Sequence, residues 1–153
     1  MEESFKFKSP KRTVTEADII NYINAVGLLE PIFIDMEYVK ENVGFRQRFA
    51  PGPFIISLGM GLTSLAMSGD TWDRLFALGE GGLFAGFVEL KAKLGAPVIP
   101  GDTIGVDVEI GNKRKTSKGG TLVDLVHTVK NQRGEITTEF TETILFHPPK
   151  AKA

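Results

Sequence analysis

Few side chains in this sequence are suited to chemistry. In the apolar run LLEPIFI, residues 28–34, Glu30 is the only ionisable residue before Asp35. Such a carboxylate becomes a general base if burial raises its pKa. As a solvated loop residue, or paired with Arg46 or Arg48, it does no chemistry. Further on, Pro51-Gly52-Pro53 opens an uncharged segment. A backbone N–H at the start of a helix sits at the positive end of the helix dipole and can polarise a carbonyl. Glycine leaves room for that carbonyl, and Pro53 suits a first turn. The same tripeptide also reads as a plain helix entry. Of the two histidines, His127 alternates with Val123, Leu125 and Val129, as a structural strand residue would, and His147 abuts Pro148 and Pro149. Lys113, Arg114 and Lys115, with Lys118 and with Lys91 and Lys93 on the preceding strand, form a basic cluster. It reads as a phosphate contact or as a solvated turn that keeps a strand edge soluble. Tyr22 and Asn24 could reach a pocket from the first helix, although core packing explains Tyr22 equally well.

Composition excludes several classes. With no cysteine there is no disulfide, thiolate metal site or cysteine nucleophile, and two histidines are too few for a histidine-rich metal centre. No metal or redox cofactor is expected. With 18 basic and 19 acidic side chains the net charge is −1, which gives no reason to expect nucleic acid. The basic cluster also lacks the interleaved aromatics that stack on single strands. The first residues, MEESFKFKSPKR, carry no apolar signal core, so the expected location is cytoplasmic. Phe49 to Gly69 is free of charge, but Pro51, Pro53 and four glycines interrupt it. Its helical part is shorter than a membrane span requires, and a buried core helix is the reading adopted.

The elements that position these residues follow from periodicity. Thr15 with Asp18 reads as a variant capping box ahead of Ile19, Ile20, Ile23 and Val26, with Gly27 as the stop. A loop at 28–34 follows, and Asp35 caps a short helix through Met36 to Asn42, with Gly44 ending it. The segment 53–68, apolar on nearly every face, must be a helix that something wraps. Residues 82–94, 103–113, 121–131 and 136–147 read as strands. Ile104, Val106, Val108 and Ile110 alternate with small or charged residues, and Ile136, Phe140, Ile144 and Phe146 keep the same period. Lys118-Gly119-Gly120 and Asn131 to Gly134 are hairpin signals. Residues 1–12 and 148–153 are expected to be loose ends of a single domain. The fold class is therefore α+β: a bent antiparallel sheet around one central helix, the hotdog architecture.

Three segments in this order resemble the MaoC-like branch of the hotdog superfamily, the (R)-specific enoyl-CoA hydratases and related dehydratases. They are TVTEADIINYINAVGLLEPIFID (13–35), RFAPGPFIISLGMGL (48–62) and VELKAKLGAPVIPGDTIGVDVEI (88–110). The resemblance covers most of the chain but not its reaction centre. Aligned on Pro31, the family's catalytic Asp and His positions hold Leu28 and Phe33, its intervening Asn is Glu30, and the His before the central helix is Pro51, while Gly52 is kept.

The resemblance implies an acyl thioester of coenzyme A or of a carrier protein as ligand. Leu28, Phe33 and Pro51 would then contact the acyl group, and Lys113, Arg114 and Lys115 the phosphates. It also implies sheets paired edge to edge in a dimer, with Trp72, Phe76 and Phe84 over the pocket entrance or an interface. Hydration of an enoyl thioester needs a carbonyl-polarising donor, a base and an acid. Gly52 supplies the first, and Leu28 and Phe33 cannot supply the others. Three readings stand open: a hydratase or dehydratase with displaced groups or completed by a partner subunit that carries the Asp and His; a thioesterase using Glu30 and the Gly52 N–H; and a non-catalytic binding or structural subunit.

Overall fold

The computed structural model describes residues 5–150. Among them, six strands form an antiparallel sheet in the order β1-β4-β5-β6-β3, with β2 also on β4. The strands are β1 (Lys6–Lys8), β2 (Arg12–Thr13), β3 (Phe84–Leu94), β4 (Thr103–Lys115), β5 (Thr121–Lys130) and β6 (Ile136–Phe146). The helices are α1 (Glu16–Val26), α2 (Pro31–Ile34), α3 (Met36–Asn42), α4 (Gly52–Ala66) and α5 (Gly69–Ala77).

Local signals explain most boundaries. Thr15 and Asp18 form the reciprocal capping box of α1, and Gly27 closes it in the left-handed region at φ 72°. Asp35 accepts from the N–H groups of Glu37 and Tyr38 and starts α3, which runs from Met36 to Asn42 as the sequence implied, with Val43 as its cap. Gly119 and Gly134, both at positive φ, turn the two hairpins.

Four expectations need correction. Residues 6–8 are not loose: Lys6, Phe7 and Lys8 pair with Glu109, Val108 and Asp107 of β4, and Arg12 and Thr13 pair with Ile104 and Thr103. Residues 1–4 and 151–153 of the expected loose ends lie outside the described residues. The loop 28–34 contains the single turn α2, because Pro31 at its first position has its φ preset for a helix. Helix α5 was not foreseen. Its apolar residues Trp72, Leu75 and Phe76 recur at helical spacing but sit among charges. Ile136 is exposed at the start of β6, out of step with Phe140, Ile144 and Phe146.

The concave face of the sheet holds Ile104, Val106, Val108, Leu125, Val129 and Phe140, all buried with Ile19 and Ile23 of α1 and Phe54, Ile55 and Leu62 of α4. Each such side chain stabilises the fold by about 1.5–3 kcal/mol. Helix α4 comes close to the sheet at Gly59, where an added Cβ would lie 2.8 Å from Cε1 of Phe140. The wrapping of α4 is one-sided. Its outer face leaves Met60 39% and Leu65 74% exposed. Strand β3, at one edge of the sheet, exposes Phe84, Phe87, Val88, Leu90 and Leu94. No single helix among the described residues is long and apolar enough to cross a membrane.

Candidate functional site

Gly52 is the first residue of α4, with buried Pro51 as its cap. The carbonyl of Pro51 accepts from the N–H groups of Phe54 and Ile55, and among the described residues no acceptor meets the Gly52 N–H. It is therefore an unused donor at the positive end of a fifteen-residue helix. Leu94 of β3 lies over it: a Cβ on Gly52 would stand 2.5 Å from Leu94 Cδ1. Ala50 anchors the approach by donating its N–H to the Val98 carbonyl at 2.8 Å.

The 28–34 segment packs on this approach. The Phe33 ring lies 5.6 Å from that of Phe49. The Arg48 guanidinium donates to the Phe33 carbonyl at 3.0 Å and to Glu16 at 2.8 Å. Leu28 and Phe33 are half-buried and pack against the main core. Glu30, at the N-cap of α2, is exposed and makes no side-chain hydrogen bond or ion pair among the described residues. Tyr22 stacks on Phe54 at 4.7 Å, which is the core-packing role, and Asn24 is exposed.

The basic cluster is paired. Lys113 and Lys115 both reach Glu80, and Arg114 donates to both oxygens of Asp124 at 3.1 Å. The hydrogen bonds from Lys113 and then Lys115 hold the Glu80 carboxyl down at about 2. The cluster lies far from Gly52. Lys113 shares a cross-strand row with Val123, Ile144 and Phe87, whereas Leu94, over Gly52, shares one with Thr138. Seven residues of strand separate those rows, roughly 23 Å.

His127 and Glu142 form a second polar feature. His127 is 0% exposed on the concave face and stacks on Phe140 with ring centroids 4.1 Å apart. Neither ring nitrogen makes a well-formed hydrogen bond, and the backbone at Phe140 and Leu125 only partly offsets the burial. Burial pushes its pKa down to about 4, so the ring is neutral at pH 7. The Glu142 side chain, 7% exposed, sits diagonally across the β5–β6 ladder with Oε2 3.7 Å from His127 Nε2, too long for a hydrogen bond. Burial pushes the Glu142 carboxyl up. Sequence reasoning placed His127 on this face but missed Glu142. The signal was available, because Glu142 is in phase with Phe140 and Ile144 and so points inward.

Just before β4, Asp102 is 2% exposed and accepts from Gln132 at 2.8 Å and Arg133 at 3.0 Å, both on the β5–β6 turn, and from the Ile99 N–H at 3.1 Å. Burial pushes its carboxyl up, but these bonds outweigh it and hold the pKa below the usual carboxylate range. The network locks the Gly101-Asp102-Thr103 turn. Among the described residues, no group of three acidic or histidine side chains could hold a metal ion.

Residues 4–140 match the family model described as FAS1-like, dehydratase domain region. The chain belongs to this family. No curated protein sequence matches it. Solved structures show the fold of this FAS1-like dehydratase region. A MaoC-like dehydratase from Rhodospirillum rubrum superposes with TM-score 0.72 at 19% identity, over 99% of this chain and 96% of that one. The (R)-hydratase from A. caviae involved in PHA biosynthesis gives 0.65 at 17%, over 97% and 98%. The HadBC (3R-hydroxyacyl-ACP dehydratase) complex from Mycobacterium tuberculosis, truncated at its C terminus, gives 0.66 at 18%, over 92% and 95%. The hotdog fold and the MaoC-like resemblance read from the sequence are therefore borne out.

Proposed function

We propose that this dehydratase-region protein binds an acyl thioester, of coenzyme A or of a carrier protein, and takes part in hydratase or dehydratase chemistry with acid–base groups supplied from outside its own 28–34 loop. The observation that carries the reading is the contrast at the helix entry. The Gly52 N–H remains an unused donor, while Leu28 and Phe33, which the sequence resemblance aligns with the acid–base positions, are packed carbon. Such a half-site polarises a thioester carbonyl as enolate charge develops, but it neither deprotonates water nor protonates the α-carbon.

A partner subunit is the simplest source of the missing groups. The exposed apolar edge strand β3 suits sheet-to-sheet pairing, whether with a second copy or with an intact MaoC-like chain. The likeness in fold to a chain of the HadBC complex supports a heteromer as one form of this pairing. In the assembled protein Leu28, Phe33 and Pro51 would contact the acyl chain, and Lys113, Arg114 and Lys115 would exchange Glu80 and Asp124 for phosphate.

The test is mass spectrometry of crotonyl-CoA and a longer enoyl-CoA after incubation with the protein, alone and with a candidate partner. A gain of one water only with the partner supports the reading. Bound but unchanged substrate in every mixture would make the chain a binding subunit. Glu30, exposed and unpaired, keeps a thioesterase reading in view. Release of free coenzyme A, abolished by Glu30→Gln, would replace the hydratase reading with that one.

A further inference from the structure

A cavity of about 380 Å³ lies at the opposite end of α4 from Gly52, between that helix, α5 and the β3–β6 edge of the sheet. Its size is that of a small-molecule site. The walls are nearly all carbon, with Met60, Met67, Trp72, Phe76 and Phe87 prominent among them, and Glu142 is the only ionisable side chain among the lining residues. About 16 Å of helix separates Gly52 from Thr63 on the cavity wall. Between them Gly59 rests on Phe140 and Val129, closing the space between helix and sheet.

A buried polar group without a partner costs about 1–3 kcal/mol, and native proteins carry few of them. One stands here, beside a nearly buried carboxyl. His127 has both nitrogens without a well-formed hydrogen bond, and Glu142, 3.7 Å away and 7% exposed at the cavity wall, makes no hydrogen bond among the described residues. Structural economy would place apolar residues at both positions, as it does at the neighbouring Leu125, Phe140 and Ile144. Polar groups kept at such a cost point to a ligand that pairs with them.

We propose that this cavity binds an uncharged apolar molecule bearing one hydroxyl group, anchored by a hydrogen bond between that hydroxyl and the Glu142 carboxyl. A hydroxyl both donates and accepts, so it satisfies Glu142 in either protonation state. The raised pKa of the carboxyl favours a neutral partner over a cation. An ammonium would be stripped of water with one carboxyl in return, and desolvating such a pair costs several kcal/mol per ion. A fatty-acid carboxylate would set its charge against the carboxyl oxygens. The site is distinct from the thioester half-site at Gly52 and does not depend on it.

The chain's single tryptophan, Trp72, lines the cavity and reports its occupancy. The experiment titrates 1-decanol, decanoate and decylamine into the full-length protein, reading Trp72 fluorescence and the thermal midpoint. Saturable decanol binding, at least tenfold tighter than decanoate or decylamine, is expected. Glu142→Leu should weaken decanol at least tenfold while leaving the protein folded, because it removes an unpaired polar group. Ser64→Phe, which fills the cavity from α4, should abolish all binding. Tighter decylamine would make this a cation site and overturn the proposal. So would equal binding of decanol and decanoate, or no saturable binding at all. Decanol affinity unchanged in Glu142→Leu would remove Glu142 as the anchor.

Discussion

His127→Leu tests the electrostatics of the concave face. The imidazole is fully buried, and burial lowers its pKa from 6.5 to about 4. The unfolded chain therefore binds a proton below pH 6.5 that the folded chain refuses until about pH 4. Where the unfolded state holds more protons, stability falls as pH falls. At 1.36 kcal/mol per pKa unit the whole shift is worth about 3 kcal/mol, of which about 2 kcal/mol is lost between pH 7 and pH 5. The interval is chosen with the neighbours in mind. Asp18, Asp102, Asp107, Glu80 and Glu135 all have lowered pKa values, so their losses come below the ordinary carboxylate range. Glu142, the ionisable side chain that faces His127, has a raised pKa and works the other way: its burial cost is greatest at high pH and is relieved as it protonates. The assay is urea unfolding followed by circular dichroism at pH 7 and pH 5, with the m-value checked for constancy. Wild type should lose about 2 kcal/mol between the two, and His127→Leu should lose little. At pH 7 the variant should be no less stable, since relieving unpaired nitrogens is worth about 1–3 kcal/mol against about 0.5–1.5 kcal/mol for the Phe140 stack. An equal loss in both proteins would refute the assignment of the buried neutral imidazole. A Glu142→Gln background separates the two groups should the wild-type loss come out smaller.

Two other predictions concern the frame. Asp102→Ala strips the acceptor from Gln132, Arg133 and the Ile99 N–H and should cost about 2–3 kcal/mol at pH 7 by chemical denaturation. Because the Asp102 pKa is lowered, that difference should shrink as pH falls below 3.8 and the wild-type carboxyl protonates. Gly59→Ala puts a Cβ 2.8 Å from Phe140 and 3.2 Å from Val129 Cγ2, so α4 must lift off the sheet or Phe140 must turn. An overpacking cost of about 1–3 kcal/mol is expected in thermal or chemical unfolding, and an unchanged midpoint would show that the helix is free to move there.

How much of this was legible in the sequence varies by element. The Thr15–Asp18 box, the Asp35 cap and the glycine-turned hairpins are local signals, each complete within a few residues, and each formed as read. The β4 and β5 alternations were equally direct, because one face of each strand meets the core. β1 was missed because its alternation, Phe5-Lys6-Phe7-Lys8, is only four residues long, and nothing local says that the edge of β4 opposite its hairpin partner receives it. α5 was missed because its signal lies in periodicity diluted by Asp70, Asp73 and Arg74. The site divides along the same line. Gly52 at the helix entry follows from proline and glycine chemistry, whereas the approach of Glu142 to His127 follows from the β5–β6 register, a pairing that no short stretch of sequence encodes.

The placement of polar and apolar residues inside the fold carries a further argument. At the 28–34 loop this chain follows the packing rule: Leu28 and Phe33 pack against the core. Under α5 it breaks the rule, with a buried neutral imidazole that makes no well-formed hydrogen bond set behind a lone carboxyl in a hydrophobic wall. Selection for stability alone would remove such a pair, since apolar replacements of similar volume are nearly neutral or stabilising. Sites that oppose local physical preference are where function resides. The two ends of α4 therefore differ in kind. At its N-terminus the scaffold keeps a backbone donor that costs little, whereas toward its C-terminus it maintains side-chain polarity at a standing expense of stability. If His127→Leu and Glu142→Leu both stabilise the protein while the second abolishes decanol binding, that expense is explained by the ligand. If both stabilise it and neither changes any binding, the pair has no ligand to account for it, and the half-site at Gly52 is left as the candidate for chemistry among the described residues.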